Sequence, residues 1–253
     1  MSINIYNFVV EITRKCNLQC SHCCRGNAQN KNLDIQKLDS FLRHVDYIST
    51  LTIGGGEPSL ALDTLEKLRW MFNYNRTKVG NIFVVTNGKY RTVALAEWYY
   101  DFYINVANEN EVSSFGFSFD QWHNWEMTGT DHRKRHFWEV SDLFEQYGIG
   151  EPVKHSDEKW SYDSLIAQGR SKYNGNRTIG PEILQIKSYS DIDEVSEGEI
   201  YFTHDGQIYS NCNLSYETMK KSSPFHVCQW DKGSGFIEKV REYNRKFEEV
   251  LIN

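Results

Sequence analysis

Cys16, Cys20 and Cys23 stand at spacings of four and three in the segment CNLQCSHC, directly after the apolar run IYNFVVEI. Three thiols in eight residues cannot all project from one side of a strand, because strand side chains alternate, but a loop can turn them toward one point. Thiolates are ligands for iron–sulfur clusters and for zinc. On a four-iron cluster, three of them leave one iron without a protein ligand, an open position where chemistry can occur. A structural zinc site would need a fourth ligand from His22, Cys24 or a distant residue. The spacing alone leaves both metals open. Two further cysteines, Cys212 and Cys228, come late in the chain.

Other short motifs follow apolar runs. GGGEP spans Gly54 to Pro58, TNG spans Thr86 to Gly88, and SFD spans Ser118 to Asp120. Glycines without a Cβ let a ligand approach the backbone, and a carboxylate such as Glu57 can accept hydrogen bonds from an ammonium group. Taken singly, GGGEP reads equally well as a glycine turn before a helix, and TNG and SFD read more readily as strand-end turns than as sites. Gln168-Gly169-Arg170 offers a guanidinium that could meet a carboxylate, or simply be solvated. Asp120 and His123 could bind substrate or serve as a cap and a packing residue. The basic run from Asp131 to His136 suits a solvated helix start.

These residues need elements to place them. Apolar runs at 5–12, 50–53, 81–86 and 114–119 predict strands, with another near 164–169. Helical period follows Asp34, an expected N-cap, through Ile35, Leu38, Leu42, Val45 and Ile48. It returns at Leu62 to Phe72, at Val93 to Val106, at 134–147 and from Ser234 to the end. Strand–helix repeats predict an α/β fold with parallel strands, whose chemistry gathers at the strands' C-terminal ends. Asp205-Gly206 between alternating segments predicts a hairpin with a type I′ turn.

The chain has 253 residues, 40% hydrophobic, 25% charged and 14% aromatic, with net charge −6. That composition is globular, and no apolar stretch reaches the ~18 residues of a membrane span. The acidic balance disfavours nucleic acid as the main partner. The first residues lack an export pattern, so a cytoplasmic location and metal or redox use of the cysteines are expected.

Cys-x3-Cys-x2-Cys after a first strand, followed in order by GGGEP, TNG, SFD and GR, resembles the radical S-adenosylmethionine (radical SAM) superfamily. The resemblance covers about 5–175 and implies a partial (β/α)6 barrel. It also implies a 4Fe–4S cluster on Cys16, Cys20 and Cys23, and S-adenosylmethionine on the open iron. His22, Gly54, Gly55, Gly56, Glu57, Thr86, Asn87, Ser118 and Arg170 fall at family positions for the cofactor. The implied reaction is reductive cleavage to a 5′-deoxyadenosyl radical, which takes a hydrogen atom from a substrate. The electron would come from a donor such as flavodoxin or ferredoxin.

The division expected is 1–185 for the barrel and 186–253 for an extension of hairpin and amphipathic helix. That extension resembles the auxiliary-cluster (SPASM or twitch) tails of members that modify peptides, which makes a peptide or protein the first expected substrate. A nucleotide or sugar is the alternative, and a non-catalytic iron–sulfur or zinc protein is the rival from another class. Cys212 and Cys228 are too few for a fully cysteine-ligated second cluster. They could instead belong to a degenerate tail without metal, share an incomplete or mixed-ligand cluster with His204 or His226, or act catalytically as a hydrogen-atom donor, alongside Asp120.

Overall fold

The computed structural model describes residues 2–107, 112–118, 123, 130–155, 168–173, 177–231 and 235–252. Among them, nine strands form one sheet: β1 (Ser2–Thr13), β2 (Val45–Gly55), β3 (Lys78–Thr86), β4 (Ser114–Ser118), β5 (Val153–His155), β6 (Ile186–Ser188), β7 (Ile192–Phe202), β8 (Gln207–Tyr209) and β9 (His226–Gln229). The order is β5-β4-β3-β2-β1-β7-β8-β9, with β6 pairing β7. Strands β1 to β5 and the β1–β7 pair are parallel, and β6, β8 and β9 join antiparallel. The helices are α1 (Ile35–Leu42), α2 (Leu62–Asn75), α3 (Thr92–Asn105), α4 (Thr130–Tyr147) and α5 (Phe236–Ile252). None of them is long and apolar enough to cross a membrane.

Alternation along the strands sorts the two faces. Phe8, Val10 and Ile12 of β1 join Leu51, Ile53, Ile82, Val84, Phe115 and Phe117 in one large core, against Leu38 and Phe41 of α1, Leu65 and Phe72 of α2, Phe102 of α3 and Phe144 of α4. Full burial of each such side chain stabilises by roughly 1.5–3 kcal/mol. Phe41 touches the rings of Phe8, Phe202, Trp230 and Phe236, so the last third of the chain shares this core with the first. On the other face, Val9 joins Tyr201, Tyr209, Leu214 and Phe225 in a smaller cluster. Across β2 and β3 that face is less covered, and Val85 is exposed.

The Asp34 cap forms as the sequence predicts, accepting from the amides of Gln36 and Lys37. The helix it starts is shorter than its periodicity suggests. It ends at Leu42, and Val45 and Ile48 lie in β2. Val45 pairs with Ile3, Tyr47 with Asn4 and Ile48 with Ile5, so Asp46 is an extra residue on β2. A bulge of this kind puts two buried strand residues three apart, which imitates helical spacing.

The hairpin at Asp205-Gly206 is also built differently. Gly206 has φ +81°, while no positive φ occurs at Asp205. The Gly206 amide bonds to the Thr203 carbonyl and the Thr203 amide to the Gln207 carbonyl. This is a three-residue loop ending on a left-handed glycine, not a type I′ turn. It docks on α1, where the Asp34 amide donates to the His204 carbonyl at 2.7 Å and Lys37 Nζ to the Asp205 carbonyl at 2.8 Å. Of the strand expected near 164–169, residues 164–167 lie outside the described residues, and Gly169 begins a 3-10 turn running to Tyr173.

Candidate active site

The segment after β1 leaves the sheet at Thr13 and returns to it. Arg14 N donates to the Lys31 carbonyl and Gln29 N to the Arg14 carbonyl, at 2.9 and 2.8 Å. The Thr13 hydroxyl adds bonds to Lys31 O and Asn32 Oδ1. The cysteines therefore sit on a closed loop at the C-terminal edge of the parallel strands, where α/β folds place their chemistry. Within it, Leu18 and Cys20 are buried, with Cys16 and Cys23 packed against them in a cluster separate from the main core. None of the six cysteines is in a disulfide.

GGGEP holds one side of this loop. Gly56 N donates to Thr13 O at 2.7 Å and Glu57 N to Lys15 O at 2.8 Å, so the end of β2 pairs with the start of the cysteine loop. A Cβ on Gly55 would overlap the Thr13 carbonyl oxygen, and one on Gly56 the Lys15 carbonyl oxygen; Gly55 also has φ +116°. A Cβ on Gly54 would meet Val9 Cγ1 at 2.9 Å. The neighbour that Gly55 and Gly56 admit is thus the chain's own backbone. Gly56→Ala is expected to destabilise the fold by on the order of 3 kcal/mol or more, since neither carbonyl nor loop can retreat. A lowered thermal midpoint, together with reduced iron content after reconstitution, checks this.

Glu57 is buried and ties three motifs together. Its Oε1 accepts from Ser59 N at 3.1 Å and Thr86 Oγ1 at 2.7 Å, and its Oε2 accepts from Asn87 N at 2.9 Å. Burial raises its pKa, opposed by these hydrogen bonds. The Asn87 side-chain amide in turn donates to Asn17 Oδ1 in the cysteine loop at 2.8 Å. TNG thereby reaches the loop, and His136 of α4 holds it from outside through Nδ1 to the Gly88 carbonyl at 2.7 Å. Ser118 ends the neighbouring strand β4. Asp120 lies outside the described residues.

A third hold comes from the late chain. Arg170 N donates to Cys23 O at 2.9 Å and Arg170 Nε to Cys20 O at 2.8 Å. Tyr216 N donates to Arg25 O at 3.0 Å, and an Arg25 terminal nitrogen donates to Leu214 O at 3.0 Å. His22 of the loop meets His123 edge to face, with ring centroids 4.7 Å apart.

The structure does not bring the two late cysteines together. Cys228 packs in the helix-side core beside Trp230, where burial pushes its thiol up to about 12. Cys212 packs on the opposite face, near Cys24 and Arg25. Burial raises its pKa as well, with the neighbouring Glu199 carboxylate adding to the effect.

Sequence reading missed a buried polar network beneath the loop. Glu11, fully buried in β1, accepts from Arg14 Nε at 3.0 Å to both oxygens, from Tyr201 OH at 2.9 Å and from His204 N at 2.9 Å. His204 Nδ1 lies 3.0 Å from the same carboxylate. Arg14 lies over the Tyr216 ring and Arg25 over the Tyr201 ring. The signal was present, since a carboxylate inside the apolar run NFVVEIT has to be paired once buried.

No family model matches this chain. The solved structure of anSMEcpe with bound AdoMet and Cp18Cys peptide superposes with a TM-score of 0.57 at 14% identity, over 98% of this chain and 82% of that one. The chain shares the fold of that protein. Streptococcus suis SuiB bound to S-adenosylmethionine matches over 84% of this chain and 58% of that chain, at TM-score 0.46 and 13% identity. An uncharacterized protein of Methanocaldococcus jannaschii is 29% identical over 65 residues, which span 24% of this chain and 23% of that protein.

Cys16, Cys20 and Cys23 share one half-buried loop, held by backbone bonds from β2 and from Arg170, and thiols are the residue type that ligates iron–sulfur clusters.

Proposed function

We propose that this chain is a radical SAM enzyme built as a partial (β/α)6 barrel, 1–185, with an extension, 186–253. The observation that carries this reading is the closed cysteine loop itself, with Cys16 and Cys23 packed against buried Leu18 and Cys20 at the sheet's C-terminal edge and the loop clamped by GGGEP, Asn87 and Arg170. In this reading Cys16, Cys20 and Cys23 hold the 4Fe–4S cluster. When bound, the cluster supplies the electron that cleaves S-adenosylmethionine and so makes a radical able to take a hydrogen atom from substrate.

The chain's own residues do the positioning. Bonds from Gly56, Glu57 and Arg170 to carbonyls of the loop and its start fix the backbone that carries the three thiols. His22, the strand ends at Gly54–Glu57, Thr86–Asn87 and Ser118, and the remaining donors of Arg170 border the cofactor's place. A peptide is the proposed substrate. The hairpin-and-cysteine tail supports this, as does the peptide bound in anSMEcpe. Cys212, which lies outside the helix-side core that buries Cys228, is the proposed hydrogen-atom donor.

The test is anaerobic reconstitution with iron and sulfide, then reduction with S-adenosylmethionine present and chromatography for 5′-deoxyadenosine. Formation of that product is expected from the wild type. A fully loaded protein that neither forms it nor binds S-adenosylmethionine would refute the reading.

A further inference from the structure

Cys20 Sγ, one ring nitrogen of His22 and one of His123 all lie within 4.8 Å of one another. The histidines come from different parts of the chain, His22 from the cysteine loop and His123 from the segment after β4. Their rings meet edge to face at 69°. Cys20 is buried and both histidines are partly buried, so water competes poorly for the three donors.

One thiolate and two neutral imidazoles form a donor set for a borderline-soft divalent ion of the zinc type. Around a tetrahedral ion with ordinary bond lengths, such donors stand ~3.3–3.7 Å apart. Small side-chain rotations from the separations seen here would close the set, leaving a fourth position for water. We propose that Cys20, His22 and His123 form an alternative metal site, which takes a zinc-class divalent cation when the loop carries no iron–sulfur cluster.

Cys20 belongs to both sites, so the two occupancies exclude each other. Binding breaks the Cys20 S–H bond, forms an S–metal bond and releases the proton to solvent, with no change of oxidation state. The bound ion would also pin the segment after β4 to the loop through His123. The inference needs only these three donors and does not depend on S-adenosylmethionine chemistry.

Cobalt(II) is the probe. Cluster-free protein, kept anaerobic, is titrated with Co2+ and then with Zn2+ as competitor. The expected result is one equivalent of Co2+, with a thiolate charge-transfer band and a tetrahedral ligand-field band, both removed by Zn2+. Cys20→Ala, His22→Gln and His123→Gln should lose these bands, while Cys16→Ala and Cys23→Ala keep them.

Iron–sulfide reconstitution should show the reverse for the residues not shared. His123→Gln assembles the cluster, Cys16→Ala and Cys23→Ala do not, and zinc-loaded wild type assembles it poorly. Circular dichroism confirms that each variant is folded. Failure of the wild type to bind Co2+, or bands that survive both histidine substitutions, would overturn the proposal. So would bands that vanish in Cys16→Ala and Cys23→Ala, since the metal would then be using the three cysteines.

Discussion

Cys16→Ala, Cys20→Ala and Cys23→Ala are each expected to abolish 5′-deoxyadenosine formation and to leave little iron bound, whereas Cys24→Ala keeps both. The adjacent thiols Cys23 and Cys24 make this a sharp comparison. Cys23 packs with Leu18, Cys20 and Cys16 in the loop's own cluster. Cys24 is outside that cluster, and its pKa is raised by burial while the neighbouring Arg25 opposes the rise. The Cys-x3-Cys-x2-Cys spacing singles out Cys23, and the packing of Cys23 but not Cys24 in the loop's cluster agrees with that choice. Removing one of three ligands from an iron–sulfur cluster leaves a second iron open, so the effect exceeds the ~10–100-fold typical of losing a group behind a ligand. Iron content and product yield, measured on reconstituted proteins, check it. Full activity in Cys23→Ala with loss in Cys24→Ala would exchange the two assignments.

Glu11→Gln should remove about 3 kcal/mol of stability at neutral pH. Burial alone would raise the Glu11 pKa, but hydrogen bonds from His204 and the charge of Arg14 outweigh it and bring it down from 4.5 to about 2. A depression of this size corresponds to roughly 3 kcal/mol favouring the ionised form in the fold. The contribution is complete above the ordinary value of 4.5 and is lost as pH falls from there toward about 2. Urea unfolding across that range should show the wild type losing stability more steeply than Glu11→Gln. Equal slopes would mean that the carboxylate is not ionised in the fold. Glu11→Ala should cost more, about 3–5 kcal/mol, because Arg14 Nε and the His204 amide would then lose their buried acceptor.

The fold was legible where local pattern and tertiary role agree. The Asp34 cap, the helices at 62–75 and 92–105 and the strand ending in TNG all combine propensity with burial on one face. It misled where a backbone irregularity changed the period, as at Asp46, whose bulge gave strand residues the spacing of a helix. The Asp205-Gly206 turn shows the same limit. A dipeptide fixes that the chain reverses, while the docking of the hairpin on α1 accompanies a wider loop. The short strands β5 and β6 carry too few residues to show any period.

By itself the sequence determined the chemistry on offer. Three thiols at loop spacing and an ordered series of strand-end motifs are properties of residue type and order, and both survive without coordinates. Only the tertiary structure decided what those residues do to one another. It turned the GGGEP glycines into close contacts for the loop's own carbonyls, and it made Glu57 the joint between GGGEP and TNG. It also placed Cys212 and Cys228 on opposite faces and gathered Glu11, Arg14, Tyr201 and His204 from across the chain. Covalent spacing fixes neighbours within a few residues. Pairing between strands nearly two hundred residues apart is set by burial and hydrogen-bond satisfaction of the whole sheet, which no local stretch encodes.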